Sequence, residues 1–253
     1  MLSRYSAYFD ASNGQIDVLP GCWVCGFVST DSGWSRFEID WRLVLAKYGV
    51  PYFHMRKFIS HKKPFDESRW RSEGYRGGFV SSLVDIIKSS AICSVGCGIW
   101  QADFDVINQR YELDRRFNPY AICGRDCAVR SRKFIRESYS RSAPIEYIFD
   151  RGDKGRGLLT REMEASKLPS PLFKRSRPDP KLDIDDPAHI QLQAADFAAW
   201  EMRREGNRRT GLEKDKSLRR SFKALSQVDH MWMHYRARDI EALCKSAKIG
   251  TRT

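Results

Sequence analysis

Residues 144–157 read PIEYIFDRGDKGRG, and this stretch decides the fold class. Its apolar residues predict a short buried strand that runs up to Asp150, and the glycines that follow end it. Because this strand follows long helical segments, the chain mixes strands and helices along its length. The other predicted strands are 5–9 (YSAYF), 22–29 (CWVCGFVS), 91–101 and 170–176 (SPLFKRS).

Most of the remaining chain has apolar residues at helical spacing. Trp34, Phe37 and Trp41 begin an apolar stripe at helical spacing, and 189–204 is rich in Ala and Leu. The predicted helices cover about 34–48, 68–89, 119–140, 157–167 and 189–204. The order of elements predicts an α/β fold with a mixed five-stranded sheet flanked by helices. We assign it to residues 1–205, with a helical insertion around 34–89 and a basic helical C-terminal extension at 206–253.

Composition excludes several classes of protein. The chain has 253 residues, of which 42% are hydrophobic and 12% aromatic, too many for a disordered chain. No apolar run approaches the roughly 18–20 residues of a membrane span, and the N-terminus lacks the pattern of a secretory signal. Seven cysteines, an odd number within predicted strands and helices, are typical of free buried thiols. We therefore expect a cytoplasmic protein.

The charge balance favours a polyanionic partner. The formal net charge is +12, and basic residues are concentrated at 125–141 and 203–223. Neutralising phosphates with Lys and Arg releases counterions, so such segments are typical of nucleic-acid contacts. Arg203 and Arg204, at the start of the second segment, are candidate substrate-binding residues. The alternative interpretation is an ordinary solvated surface.

Three aspartates stand out by their positions in the predicted strands and helices. Asp10 ends the first predicted strand, Asp150 ends the strand at 145–150, and Asp196 lies inside an apolar helix. A carboxylate among apolar residues needs a cation, a hydrogen-bond network or a proton. Hard divalent cations prefer such oxygen ligands. We therefore predict that the three bind Mg²⁺ or Mn²⁺; taken singly, each could instead cap a turn or pair with an arginine.

Four segments carry a resemblance to a known family. They are YFDASNG, YFHMRKF at 52–58, IFDRGDKGRG and IQLQAADFAAWE at 190–201. Together they resemble the domain-of-unknown-function 3800 family, within the ribonuclease H-like superfamily. This resemblance implies that a first-strand Asp, a fourth-strand Asp and a late-helix acid surround two metal ions. The family's first motif is closer to Asp-Glu-Ser-Gly, whereas this chain has Ala11 at the second position.

Other residues are secondary candidates for the same site. His54 is a candidate metal ligand or proton carrier, with a structural histidine as the alternative. Gln193 could orient a carboxylate or a phosphate oxygen, or only pack. Asp153 and Glu38 are possible fourth acids, with loop and helix-edge positions as the alternatives; Asp126 is a weaker candidate.

The leading functional hypothesis is a metal-dependent nuclease or a related phosphodiester-processing enzyme. One ion would activate a water and the other would stabilise the leaving oxygen. The alternative is a catalytically weak nucleic-acid- or partner-binding module on the same fold. A third possibility is a metal-independent interaction protein in which the aspartates only form salt bridges.

Overall fold

The computed structural model of the chain describes residues 4–13, 20–139, 141–177, 188–211 and 217–251. Within them, one mixed sheet has the strand order β5-β4-β1-β2-β3-β6. The strands are β1 (Tyr5–Asn13), β2 (Gly21–Thr30), β3 (Cys93–Trp100), β4 (Ile145–Asp150), β5 (Leu172–Lys174) and β6 (His230–Tyr235). β1, β2 and β3 are antiparallel neighbours, whereas β4 is parallel to β1, β5 to β4, and β6 to β3.

Helices cover both faces of this sheet, which confirms the α/β prediction. The helices are α1 (Asp31–Lys47), α2 (Met55–Ile59), α3 (Glu73–Ser90), α4 (Gln101–Tyr111), α5 (Pro119–Ser138), α6 (Arg156–Ala165), α7 (Gln191–Arg209), α8 (Arg220–Leu225) and α9 (Ala237–Ser246). Apolar side chains of α1, α3 and α7 share one core with the sheet, on what we call the α7 face. Those of α4, α5, α6 and α9 form the core of the opposite face.

The α7 face is built around an aromatic core. Trp34, Phe37 and Trp41 of α1 are at most 4% exposed, as their helical spacing predicts. The indole N–H of Trp34 donates to the carbonyl of Ser6 at 3.0 Å, which ties α1 to β1. The region between β2 and β3 therefore packs its helices beside α7, over the strands that carry the aspartates.

The sheet has six strands in the described residues, not the five expected, because β6 was not predicted. The segment after residue 205 was expected to be helical, yet β6 pairs in parallel with β3 along Ser94–Ile99. Met231, Met233 and Tyr235 alternate toward the core opposite α7, which is the period of a strand. The C-terminal segment therefore extends the same sheet.

Two further sequence expectations concern the cysteines and membranes. All seven cysteines are buried free thiols, as their positions predict. In the described ranges, none of the helices is both long and apolar enough to cross a membrane.

Candidate functional site

Asp10 and Asp150 lie side by side on adjacent parallel strands. Phe9 of β1 pairs with Phe149 of β4, so the two aspartates follow at the same level of the sheet. Neighbouring strands are about 4.8 Å apart. Side chains alternate along a strand, and Tyr8 and Ile148 belong to the core of the α7 face. Asp10 and Asp150 therefore project onto the face that α7 covers.

Asp196 approaches from that helix. α7 packs over β1 and β2, and its buried neighbours Ala194 and Phe197 place it on the core. The carboxylate accepts a 2.6 Å hydrogen bond at Oδ2 from the backbone N–H of Met55. The start of α2 is thereby held against the acid.

A tight turn after β4 supplies a fourth carboxylate. Asp150 Oδ1 accepts from the backbone N–H of Gly152 at 2.7 Å, the local pattern by which Asp stabilises a turn. The turn brings Asp153 back toward β1, where Asn13 Nδ2 donates to Asp153 Oδ1 at 3.3 Å. The other oxygen, Asp153 Oδ2, is buried and has no hydrogen-bond partner. Asp153 is therefore the fourth acid that the geometry favours.

The four acids influence one another electrostatically. Burial first, then the charges of Asp150, Asp153 and Asp196, raise the pKa of Asp10 well above its ordinary value. Burial and the charge of Asp150 raise the pKa of Asp153 to about 7. Burial raises the pKa of Asp196 to about 6, against the opposing effects of the Met55 N–H and of Arg177. Asp150, Asp153 and Asp196 therefore lie near enough to Asp10 for their charges to affect its pKa.

The donor chemistry of this cluster fits a hard divalent cation. It offers only carboxylate oxygens, one of them buried and unpartnered, and Mg²⁺ and Mn²⁺ prefer oxygen ligands. Across the described parts of the chain, no group of three or more His, Cys, Asp or Glu residues is arranged to hold a metal ion as it stands. A cation would therefore have to draw these side chains closer together.

A cavity of about 710 Å³, here called the larger cavity, opens beside the acids. Asp153 and Asp196 line it together with three cations, Arg56, Lys154 and Arg203. Anionic and cationic side chains thus share one wall, an arrangement suited to a ligand that carries both phosphate and bound metal.

His54 also lines the larger cavity and begins α2. Its Nδ1 accepts the backbone N–H of Lys57 at 3.4 Å, so the neutral ring carries its proton on Nε2. Burial first, then the charges of Arg177 and Lys57, lower the pKa of His54 to about 4. The ring is therefore neutral at pH 7. In this tautomer the Nε2–H can donate a hydrogen bond, and the metal ligation or proton transfer expected from sequence stays a prediction.

Gln193 packs within the protein, which is the alternative that the sequence left open. It is 2% exposed, and its Oε1 accepts from the indole of Trp41 at 3.0 Å and the N–H of Phe53 at 2.8 Å. Its Nε2 donates to the carbonyl of Ser176 at 2.9 Å. Gln193 therefore positions α1, the residue before His54 and the segment after β5.

Three other predicted residues lie away from the acids. Glu38 is partly exposed and pairs with Arg42 at 2.6 Å on the surface of α1. Asp126 accepts from Tyr235 and Arg130 on the opposite face of the sheet. Arg204 stacks on Trp200, with its guanidinium carbon 5.3 Å from the ring centre. Asp126 is therefore not the fourth acid, whereas the site roles expected of Glu38 and Arg204 stay predictions.

The predicted basic segments contribute unequally. Arg203 lines the larger cavity, but the arginines of α5 lie on the opposite face, where Arg132 donates to the carbonyl of Lys167. Residues 140 and 212–216 of these segments lie outside the described residues. Arg56, which lines the larger cavity, and Lys57 were not predicted as site residues, although both lie in the YFHMRKF motif.

Comparisons with protein-family models, curated proteins and solved structures find no match for this chain.

Proposed function

We propose that this chain is a divalent-metal-dependent nuclease or a related phosphodiester hydrolase. The single observation that carries the proposal is the convergence of Asp10 on β1, Asp150 on β4 and Asp196 on α7. These are the positions that the resemblance to the ribonuclease H-like superfamily implies. Asp153 adds a fourth carboxylate with a buried, unpartnered oxygen.

The four aspartates would hold Mg²⁺ or Mn²⁺, which, when bound, supply water activation and stabilisation of the leaving oxygen. Without a cation, the charges of the other three aspartates add to the effect of burial in raising the pKa of Asp10. The site is therefore suited to bind positive charge and then the phosphate that this charge attracts.

The remaining residues would bind and orient the substrate. Arg56, Lys154 and Arg203 line the larger cavity and would contact phosphates without reading base sequence. His54, neutral at pH 7 with its proton on Nε2, would donate a hydrogen bond to a phosphate oxygen. Gln193 would act indirectly, as a positioning residue for the segment that carries His54.

A second candidate is a nucleic-acid-binding module without efficient catalysis. Two observations favour it: Ala11 stands where the family motif has an acid, and no ready-made chelating group exists in the described residues. This candidate predicts salt-sensitive nucleic-acid binding without cleavage.

An activity assay separates the two candidates. Purified protein is incubated with Mg²⁺ or Mn²⁺ and labelled single-stranded DNA, duplex DNA or RNA. The nuclease proposal predicts cleavage that falls at least about 100-fold in Asp10→Asn and Asp196→Asn, because metal ions contribute several kcal/mol to such reactions. Asp85→Asn, on the exposed side of α3, is the matched control. Cleavage that survives both site substitutions would contradict the assignment.

A further inference from the structure

Asp150 lines a second cavity, of about 410 Å³. We call it the basic cavity, because four cations line it beside Asp150 and Tyr52: Lys57, Arg151, Arg175 and Arg177. Lys57 and Arg177 put positive charge on the wall of this cavity, which suits it to an anionic group.

Tyr52 organises two of these cations. Its hydroxyl accepts a 2.5 Å hydrogen bond from Lys57 Nζ, which also lies 5.0 Å from the ring centre. The guanidinium carbon of Arg177 is 5.8 Å from the same ring. Cation–π attraction to one aromatic ring thus helps to hold two like charges near each other. The cations are positioned by packing before any ligand arrives.

The basic cavity adjoins the acidic cluster directly. Asp150 lines it, and Gly152 lines both this cavity and the larger one. The charge of Arg177 also lowers the pKa of His54 and of Asp196, two residues that line the larger cavity. The acids therefore lie at the boundary between the two cavities, and a ligand in one is next to the other.

We propose that the basic cavity binds a phosphate group of a nucleic-acid strand, next to the phosphate at the acids. This inference rests on the proposed function and adds to it a strand path through both cavities. Guanidinium groups match the geometry of phosphate oxygens, and Lys57 adds a point charge. A volume of about 410 Å³ also falls within the range of pockets that hold small organic groups.

Binding measured without metal tests this inference separately from cleavage. The full chain is titrated, in EDTA, against fluorescein-labelled 12-nucleotide single strands of DNA and of RNA, at several salt concentrations. Arg177→Gln and Lys57→Gln remove the two cations that flank Tyr52. Lys133→Gln, an exposed residue of α5, removes one charge on the opposite face and is the matched control.

The inference predicts that Arg177→Gln and Lys57→Gln each weaken binding about tenfold, the value of one charge-assisted hydrogen bond. Each should also reduce the slope of log affinity against log salt by about 0.7, whereas Lys133→Gln changes neither. Equal effects of all three substitutions, no strand binding at all, or binding of adenosine monophosphate alone would overturn it. Retained strand binding without Mn²⁺-dependent cleavage would instead contradict only the nuclease proposal.

Discussion

The backbone N–H of Met55 donates a 2.6 Å hydrogen bond to Asp196 Oδ2, which joins the segment of His54 to the helix that carries the third acid. One oxygen of Asp196 is therefore already directed by the protein, and the other remains for a ligand. Asp10 and Asp150 are held in the same way, because each accepts a nearby backbone N–H at one of its two carboxylate oxygens. Each of the three carboxylates thus has one oxygen held by a backbone N–H.

Asp10→Asn should stabilise the metal-free protein and abolish its response to metal. At pH 8 in EDTA the substitution removes one of the mutually repelling charges, so we expect the free energy of unfolding to rise by about 1 kcal/mol. For a chain of this size that corresponds to a rise in melting temperature of roughly 2–4 °C. Thermal unfolding measures it, with Asp85→Asn as the control. A less stable Asp10→Asn protein at pH 8 would contradict the proposed repulsion.

The stability of the metal-free protein should depend on pH through the same acids. The folded-state pKa is about 7 for Asp153 and about 6 for Asp196, both above the unfolded value near 3.8. The folded state therefore holds more protons, and the acids' contribution to stability falls as pH rises from about 4 to about 7. His54 acts oppositely below pH 6.5, because its folded pKa is lowered.

Added Mn²⁺ should reverse this trend, because metal binding requires deprotonated carboxylates. The metal-induced rise in melting temperature should grow between pH 5 and pH 8. Affinity should increase about tenfold per pH unit for each proton released. Calorimetric titration in two buffers of different ionisation enthalpy measures the protons released. An affinity that does not vary with pH would exclude these acids as ligands.

Gln193→Met should cost stability because it leaves three buried groups without their partner. The indole of Trp41, the N–H of Phe53 and the carbonyl of Ser176 would each lose a hydrogen bond. An unsatisfied buried group costs about 1–3 kcal/mol, so we expect a loss of several kcal/mol in urea unfolding. Gln109→Met on the exposed side of α4 should change stability by less than about 0.5 kcal/mol. Equal effects of the two substitutions would refute the positioning role of Gln193.

Arg219→Met tests whether the C-terminal segment is part of the same cooperative unit. Glu201 of α7 is 1% exposed, and its carboxylate pairs with Arg219 at 3.0 Å and accepts from Ser221 at 2.6 Å. Removing the arginine leaves a buried charge, at a cost of about 3 kcal/mol. Arg42→Met, which breaks the exposed pair with Glu38, should cost at most about 1 kcal/mol. A separate unfolding transition for the C-terminal segment would contradict a single unit.

Hydrophobic periodicity predicted most of the helices and strands, but it did not predict the strand at one edge of the sheet. The apolar stripe begun by Trp34 and Trp41 correctly predicted α1, and the run up to Asp150 correctly predicted β4. β6 was missed because its alternation of Met231, Met233 and Tyr235 lies within a strongly basic segment. Only its pairing with β3 turns that weak pattern into a strand.

The candidate site likewise has residues that the sequence predicts and residues that only the folded chain brings together. Asp150 at a strand end and Asp196 in an apolar helix are conspicuous in the sequence. Asp10 was expected to end the first strand, but β1 continues to Asn13 because its pairing with β2 extends that far. The basic cavity could not be predicted, since Tyr52, Lys57 and Arg177 come from distant segments whose proximity depends on tertiary packing. Gln193 was recognised as unusual, but only the folded chain shows which backbone groups it holds.

Anomalous X-ray diffraction from crystals grown with Mn²⁺ tests the central claim most directly. The account predicts manganese at the point where Asp10, Asp150 and Asp196 converge, with Asp153 as a further ligand and two ions about 4 Å apart. The peaks should be absent in Asp10→Asn crystals prepared identically. Manganese bound only elsewhere on the protein, or no manganese at millimolar concentration with the four carboxylates left apart, would contradict it.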